Sequence, residues 1–326
     1  MKKIRILAME GCVVQAVAGA QYCFNTVNHF LGLSDQEPAF DVKLVGLSRE
    51  VHPGFPGFVL QPDETLETAS DADLIIIPPL FGDFDHAIET NSPFSPWLRE
   101  QYEAGSEIAS LCVGAFFLAS TGMLDGKRCS THWGFIDQFR NQFPLVEVLD
   151  GSIVTEEAGI YSSGGANSYW NLLLHLVEKY VDREMAILLS KYFAIDIDRD
   201  TQSAFAIFRG QKEHPDPEIR RAQEIIENRF SERISVDELA DEVAVGRRSF
   251  ERRFKRVTNN SVLEYVQRVK MEAAKRSFET SLKNINEVMW DVGYTDSKAF
   301  RTVFKKVTGL TPNEYRNKYN KLVRLN

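Results

Sequence analysis

The sequence predicts two domains of different class, an α/β doubly wound N-terminal domain and an all-α C-terminal domain with two helix–turn–helix motifs. Over the first 195 residues, short apolar runs alternate with longer amphipathic stretches, as in a parallel sheet covered by helices. Near the C-terminus a basic helical segment, GRRSFERRFKRVTN at 246–259, returns as DSKAFRTVFKKVTG at 296–309. An internal repeat of this kind is a strong guide to architecture.

The charge is divided unevenly along the chain. The protein has 326 residues and a formal net charge of −8, but residues 1–200 carry −15 and residues 201–326 carry +7. A chain of this length can bury two separate cores. The asymmetry is typical of an acidic body joined to a basic module that faces nucleic acid.

The composition also excludes several classes of protein. The four cysteines are scattered, without a CxxC pair or a His/Cys cluster at metal spacing, so we predict no metal site and no cofactor. The N-terminal MKKIRILAM continues into a strand-like run rather than a signal peptide, and no apolar run reaches the length of a membrane span. We therefore expect a cytoplasmic protein with free thiols and no membrane contact, with two disulfides as the alternative.

The elements of the first domain follow from its apolar pattern. The run ADLIIIPP is apolar without alternation, as expected for a parallel strand covered on both faces. The helix predicted at 166–180 follows a glycine-rich turn, SSGG at 162–165. The predicted strands are 3–9, 40–48, 72–79 and 107–112, and the predicted helices are 18–31, 95–104, 113–121, 166–180 and 183–195. The first domain is therefore expected to span residues 1–195.

Cys112 lies where the fourth predicted strand meets a helix. Its neighbours Ala109, Ser110, Gly114 and Ala115 are small, which a tight strand-to-helix turn requires if it is to lift one side chain above the sheet edge. The positive end of the helix would favour the thiolate form of this cysteine. The alternative is a buried cysteine that packs as a small apolar residue.

The segment ASLCVGAFFLASTGMLDGKRCSTHW at 109–133 resembles the class I glutamine amidotransferase-like superfamily, in the branch related to intracellular proteases (PfpI-type), amidases and isonitrile hydratase. SSGGANSYWNLLLHLVEKY resembles the glycine turn and helix of the same family, and the similarity covers roughly residues 3–195. The resemblance implies a flavodoxin-like fold, dimerisation through this domain, and a Cys–His pair formed by Cys112 and His132.

Departures from the family pattern argue against catalysis. The enzymes place an acid soon after the first strand, at the position of Ala16, and Val113 replaces the common hydroxyl residue after the nucleophile. A histidine without an orienting acid is a poor base, and His132 can equally be a hydrogen-bonded structural residue. We therefore predict no catalytic residue, and an effector pocket formed by Cys112, Val113, His132 and Gly164. The alternative is a Cys–His amidase or hydratase fused to a DNA-binding module.

Residues 196–216 are predicted to be a linker, and 217–326 a helical domain. Pro215 and Pro217 interrupt any helix across the boundary, and Pro217 can start the next one. The first helix–turn–helix motif is expected at 235–257, where Ser235 and Glu238 form a capping box, and the second at 285–307. The two copies are offset by 49 residues before the turn and by 50 after it, so the second turn is longer by one residue.

The region 218–320 closely resembles the AraC-type DNA-binding domain, including its typical ending VTGLTPNEYRNKY. Gly246 is found where Ser or Thr usually caps the first recognition helix, and Asn259 replaces the glycine after it. The resemblance implies double-stranded DNA as a partner, with two recognition helices in successive segments of the major groove. The residues predicted to contact DNA are Arg247, Arg248, Glu251 and Arg252 in the first copy and Ser297, Lys298, Arg301, Thr302 and Lys305 in the second.

These features predict a sequence-specific transcription regulator rather than an enzyme. A small metabolite, with amino-acid-like compounds as the first candidates, would bind near Cys112 and act on DNA binding within a homodimer. Family analogy favours activation over repression, with RNA polymerase as a further partner. The remaining alternative is a first domain that binds no ligand and serves only for dimerisation. The first copy is richer in arginine than the second, so we expect it to contribute more of the DNA affinity.

Overall fold

A computed structural model of the chain describes residues 1–54, 56–197, 199, 201–212 and 214–320. The chain divides into two compact units, Met1–Gln202 and Ser203–Asn326. The residues expected to form a linker, 196–216, are shared between the two units. Asp198, Asp200 and Glu213 of that range lie outside the described residues.

The first unit is the α/β doubly wound domain that the sequence predicts. Its elements in chain order are β1 (Lys2–Ala8), α1 (Val14–Gly32), β2 (Phe40–Gly46), β3 (Glu64–Thr65), β4 (Leu74–Ile77), α2 (Phe84–Asn91), α3 (Phe94–Glu103), β5 (Glu107–Ser110), α4 (Gly114–Ser120), β6 (Arg128–Cys129), α5 (Ile136–Gln142), β7 (Glu147–Val148), β8 (Val154–Glu157), β9 (Ile160–Ser163), α6 (Tyr169–Tyr180) and α7 (Arg183–Tyr192).

One seven-stranded sheet forms the centre of this unit, in the order β3–β2–β1–β4–β5–β9–β8. All neighbouring strands are parallel except β8 and β9, which are antiparallel. All four residues of β4 are buried, as expected for a central strand covered by helices on both faces. β6 and β7 form a separate two-stranded parallel pair.

The β8–β9 hairpin was not predicted from the sequence. Its two-residue loop, Ala158–Gly159, has φ angles of 52° and 74°, and positive φ at both central residues matches the twist of a tight hairpin. Ser162 and Ser163 were assigned to a glycine-rich turn, but they pair with β8 and are buried. The serines therefore belong to β9, which lies between β5 and β8, directly before the two glycines that follow.

The second unit is helical. Its helices are α8 (Pro217–Asn228), α9 (Val236–Glu242), α10 (Arg247–Thr258), α11 (Val262–Thr280), α12 (Ile285–Asp291), α13 (Ser297–Thr308) and α14 (Pro312–Tyr319). Pro217 is the first residue of α8, and Ser235 and Glu238 form the predicted capping box on α9. None of the helices among the described residues of either unit is long and apolar enough to cross a membrane.

Each helix–turn–helix copy of the second unit has its own core. Phe250 and Phe254 are fully buried in the first core, and Phe300 and Phe304 in the second. The long helix α11 packs against both, with Tyr265 in the first core and Phe278 in the second. Because the aromatic residues of both recognition helices face inward, their charged residues are left on the opposite side.

Candidate functional site

The predicted tight turn between β5 and α4 is present, with Cys112 at its centre. Cys112 has a φ angle of 54°, a left-handed conformation that non-glycine residues adopt mainly where the surrounding structure imposes it. A Cβ atom at Gly114 would lie 2.6 Å from the Pro78 carbonyl oxygen and 2.8 Å from that of Ile77. Only glycine therefore lets α4 begin this close to the end of β4.

Cys112 is a buried thiol rather than a thiolate. Cys112 is only 5% exposed, and burial raises the pKa of its thiol to about 12. The Val113 N–H donates a hydrogen bond to the sulfur, which opposes this shift without cancelling it. At neutral pH the sulfur is therefore protonated. The expectation of a thiolate was wrong because removing the sulfur from water disfavours its charged form more than the short helix α4 favours it.

His132 has a structural role in the turn that follows. Its Nδ1 accepts a hydrogen bond from the Gly134 N–H at 3.0 Å, which caps the short 3₁₀ helix Trp133–Phe135. Burial lowers the pKa of the imidazole below its ordinary value of 6.5, so the ring is neutral near pH 7. Within the described residues no carboxylate forms a hydrogen bond to this ring, and Ala16 is buried in the core. The ring therefore has no acid to orient it as a base.

The four residues predicted to form an effector pocket lie around one end of the sheet. Thr131 Oγ1 donates to the Cys112 carbonyl oxygen at 3.2 Å, which places the segment before His132 against the turn. A Cβ atom at Gly165 would lie 3.7 Å from His132 Cδ2. Sequence analysis missed one further residue at this end, Gln202, whose carboxamide packs against Gly164. No periodicity or motif marks Gln202, because it lies in the segment 196–216, whose composition is typical of a linker.

The first recognition helix, α10, has an exposed charged face. Arg248, Glu251 and Arg252 are exposed, and Glu251 and Arg252 also line a shallow depression with Lys255, Arg256 and Asn259. Arg247 is exposed but forms ion pairs with Asp237 at 2.8 Å and with Glu251 at 3.8 Å. All four residues predicted in this helix are thus on its outer face.

Arg253, by contrast, is half-buried in the same helix and holds the beginning of α8. Its guanidinium donates to Asp216 at 2.8 and 2.6 Å and to Glu218 at 2.6 Å. The pKa of the Asp216 carboxyl is lowered below its ordinary value of 3.8, mainly because it accepts hydrogen bonds from the Arg253 guanidinium. This arginine joins two helices and is not available to DNA.

The second recognition helix, α13, has its predicted residues on one exposed face. Lys298, Arg301, Thr302 and Lys305 are exposed, and Ser297 is half-buried with its Oγ accepting from Arg301 Nε at 3.3 Å. The additional residue in the second turn is Thr295, because Gly246 and Asp296 occupy equivalent positions before the two recognition helices. The Asp296 carboxylate caps α13 by accepting from the N–H groups of Lys298 and Ala299. The first helix begins at Gly246 without a side-chain cap.

Among the described residues, the two helices carry equal numbers of cations without an ion-pair partner. They are Arg248, Arg252, Lys255 and Arg256 in α10, and Lys298, Arg301, Lys305 and Lys306 in α13. The two additional cations of the first helix, Arg247 and Arg253, pair with acids of the protein itself. The charge advantage expected for the first copy is therefore smaller than its sequence suggests.

A buried lysine fixes the two copies to each other. Lys270 on α11 donates to the Glu232 carbonyl oxygen at 3.1 Å and to the Val292 carbonyl oxygen at 3.0 Å. The first acceptor precedes the first motif and the second lies in the turn of the second motif. Burial lowers the pKa of this ammonium group.

In the described residues, no group of three or more His, Cys, Asp or Glu side chains is arranged to hold a metal ion.

Comparisons with known proteins identify both units. Residues 31–179 match the model of the DJ-1/PfpI family, and residues 239–318 match that of a helix-turn-helix domain. The chain is 24% identical over 261 residues to the HTH-type transcriptional regulator GbdR of Pseudomonas aeruginosa, covering 80% of this chain and 70% of that protein. It is 26% identical to the HTH-type transcriptional regulator ArgR of the same species, covering 68% of this chain and 67% of that protein.

A solved structure supports the fold of the first unit. The crystal structure of a ThiJ/PfpI family protein from Pseudomonas syringae aligns with a TM-score of 0.50 and 17% identity, covering 74% of this chain and 90% of that one. The named relatives are transcriptional regulators, in agreement with the prediction of a regulator from Ala16 and Val113. The chain therefore joins a region that matches the DJ-1/PfpI family to a helix-turn-helix domain, and the curated relatives that it resembles over both units are HTH-type transcriptional regulators.

Proposed function

We propose that this cytoplasmic regulator binds double-stranded DNA through both recognition helices. A small metabolite bound at the site around Cys112, Val113, His132 and Gly164, which we call the elbow site, controls this binding. The observation that carries the proposal is the pair of exposed helices on cores joined by α11, each with four cations that form no ion pair within the described part of the chain. Two such helices fixed to each other fit successive major-groove segments, and DNA that does not match their spacing has to bend.

DNA binding is tested with the full chain. Genome-wide mapping of bound sites supplies an operator, and the affinity for that operator is then measured against salt concentration. Each phosphate contact adds about 0.9 to the slope of log K against log salt, so eight bound cations set an upper limit of about 7. Lys191→Ala, which removes an exposed cation of the first unit, is the matched control and should leave the slope unchanged. A slope near zero would contradict DNA binding by the two recognition helices.

The elbow site is suited to a ligand held by hydrogen bonds. Both titratable groups at the site, the Cys112 thiol and the His132 imidazole, are neutral near pH 7. Thermal-shift measurements on the full chain with amino acids, primary amides and short carboxylic acids should identify ligands that raise Tm. His132→Phe should reduce the shift. The absence of any shift across the panel would favour a first domain that serves only for dimerisation.

The thiol provides a test against catalysis. Because burial raises the pKa of Cys112 to about 12, its alkylation by iodoacetamide should be slow near neutral pH. The rate should rise about tenfold per pH unit between roughly pH 7 and 10, without a plateau, since only the thiolate reacts. Turnover of amide or isonitrile substrates that is abolished by Cys112→Ala would overturn the non-catalytic assignment.

A homodimer is supported by an exposed stripe on α1 that carries no Lys, Arg, Asp or Glu. Ala18, Tyr22, Asn25 and His29 are exposed at helical spacing, and the Tyr22 hydroxyl lies 3.0 Å from that of Tyr192 on α7. Tyr22→Glu should shift the sedimentation coefficient from dimer to monomer. An in vitro transcription assay with RNA polymerase on a mapped operator distinguishes activation, the expected outcome, from repression.

A further inference from the structure

Gln202 is almost completely buried in the first unit, at the glycine-rich turn. Its residue is 1% exposed. Its Oε1 accepts hydrogen bonds from the Gly165 N–H at 2.7 Å and the Trp133 N–H at 3.2 Å. Its Nε2 donates to the Thr131 carbonyl oxygen at 2.8 Å and to the Ser152 carbonyl oxygen at 3.2 Å. All four hydrogen-bonding positions of the carboxamide are therefore used.

The two glycines make room for this group. A Cβ atom at Gly164 would lie 2.5 Å from Nε2 and 2.7 Å from Cδ of Gln202. One at Gly165 would lie 3.0 Å from Oε1. Larger residues at either position would collide with the carboxamide. The SSGG segment thus forms the wall of a space whose size and polarity match a primary amide.

We propose that this turn is a primary-carboxamide binding site which the chain fills with its own Gln202. The site presents two backbone N–H donors to the carboxamide oxygen and two backbone carbonyl acceptors to the carboxamide nitrogen. A carboxylate would place an anionic oxygen against two carbonyl oxygens, and an ester or ketone would leave both acceptors unpaired, so each should bind less well. An effector that carries a primary carboxamide would compete with Gln202 for the same four groups.

Displacement of Gln202 has a direct route to the DNA-binding unit, because Ser203 is the first residue of that unit. Residues 203–212, which we call the strap, are anchored there. Lys275 Nζ donates to the Ala206 carbonyl oxygen at 2.5 Å, and the Phe208 N–H donates to Glu272 at 3.1 Å. Both side chains are buried and belong to α11, the helix shared by the two copies. Gln202 therefore acts as a latch that holds the start of the strap, and this coupling rests on the proposed function.

The latch is tested by hydrogen exchange on the full chain without effector or DNA. Gln202→Glu replaces the Nε2 donor by a carboxylate oxygen facing two carbonyl oxygens, and Gln36→Glu makes the same change at an exposed position. We expect Gln202→Glu to speed exchange about tenfold at the Trp133 and Gly165 amides and in the strap. Gln36→Glu should match the wild type. Faster exchange at the turn with a strap protected as in the wild type would overturn the latch.

The chemical class of the ligand is tested by rescue. Gln202→Ala removes the atoms of acetamide from the site, so added acetamide should restore slow exchange at Trp133 and Gly165. Acetate, which has the same shape without the N–H donors, should not. Equal rescue by acetate, or no rescue by acetamide at concentrations up to about 1 M, would overturn the carboxamide site. Gln202→Ala also covers the case in which Gln202→Glu fails to fold.

Failure of this inference is distinguishable from failure of the proposed function. If the wild type shows no salt-dependent DNA binding while acetamide rescues Gln202→Ala, the proposed function fails and the carboxamide site stands. If DNA binding is present but the strap exchanges at the wild-type rate in Gln202→Glu, the regulator stands and the latch fails.

Discussion

The two helix–turn–helix copies, 235–257 and 285–307, share a scaffold but differ in the turn between their helices. The turn of the first copy has Ala244 at a φ of 54°, where the second has Gly293 at 73°. The first recognition helix begins at Gly246 without a side-chain cap, and the second is capped by Asp296. The first copy is therefore strained in its turn and poorly capped, whereas the second uses residues suited to both positions.

The copies also differ in what their cations contact. Arg253 of the first copy is held by Asp216 and Glu218, but Val303 at the equivalent position of the second is a partly buried apolar residue of the core. Once internal ion pairs are set aside, four cations remain on each helix among the described residues. A count of arginines therefore does not measure how much positive charge a helix offers to DNA.

The largest contrast is expected from exchanging the turn residues. A Cβ atom at Gly293 would lie 2.0 Å from the Ser231 carbonyl oxygen and 2.8 Å from Lys270 Nζ. Gly293→Ala combines this collision with an unfavourable φ and should lower the free energy of unfolding by roughly 2–5 kcal/mol. Ala244→Gly removes strain at an exposed site and should raise it by at most about 1 kcal/mol. Urea unfolding checks both, and equal effects of the same sign would contradict the contrast.

Removal of one unpaired arginine from each copy tests whether they contribute equally to DNA affinity. Arg248→Ala and Arg301→Ala should each weaken operator binding by about 1–3 kcal/mol if the arginine contacts a base, with relaxed preference at one position. Arg247→Ala is the control and should have a smaller effect, because Arg247 already pairs with Asp237. A loss confined to Arg248→Ala, measured by fluorescence anisotropy on operator variants, would restore the dominance of the first copy.

Arg253 should matter for folding and not for DNA. Arg253→Ala leaves Asp216 and Glu218 without their partner and should lower the free energy of unfolding by about 1–2 kcal/mol. The folded state depresses the pKa of Asp216 below 3.8, so its stabilisation is present above that pH and is lost as the pH falls toward the lower folded value. Urea titrations at several pH values should show a larger loss in the wild type than in the variant, in which the Ile219 N–H still donates to Asp216. A large loss of operator affinity at neutral pH would contradict the assignment.

The smallest effects are expected at the helix caps. Asp296→Ala removes a carboxylate that accepts from two backbone N–H groups and should cost about 1 kcal/mol. Gly246→Ser supplies the cap that the first copy lacks and should add a few tenths of a kcal/mol. Thermal unfolding of both variants beside the wild type measures the difference. Destabilisation by Gly246→Ser would show that the first helix requires glycine at this position.

Most of the fold was predictable because it depends on local pattern. The four predicted strands and the recognition helices follow from apolar spacing, and Pro217 and the Ser235 capping box mark helix starts by their own chemistry. The β8–β9 hairpin was not predictable in this way. Its strands are only four residues long, and Ser162 and Ser163 are buried by pairing with β8 rather than by apolar character.

The candidate site was predictable only in part. The small residues around Cys112 indicate the turn because close backbone approach demands them, as Gly114 shows. The sequence left open whether Cys112 is a thiolate or a buried thiol, since burial depends on residues distant in sequence. Gln202 was missed for the same reason, because its four partners come from three separate segments of the chain.

The sequence by itself determined the two fold classes, the duplicated helix–turn–helix motif and the faces on which its cations lie. Periodicity and repetition are properties of the sequence itself, so they can be recognised without knowledge of the fold. Tertiary structure alone decided which of those cations are neutralised, whether the buried thiol is charged, and what fills the glycine turn. These properties depend on distances and on exclusion of water between residues that only folding brings together.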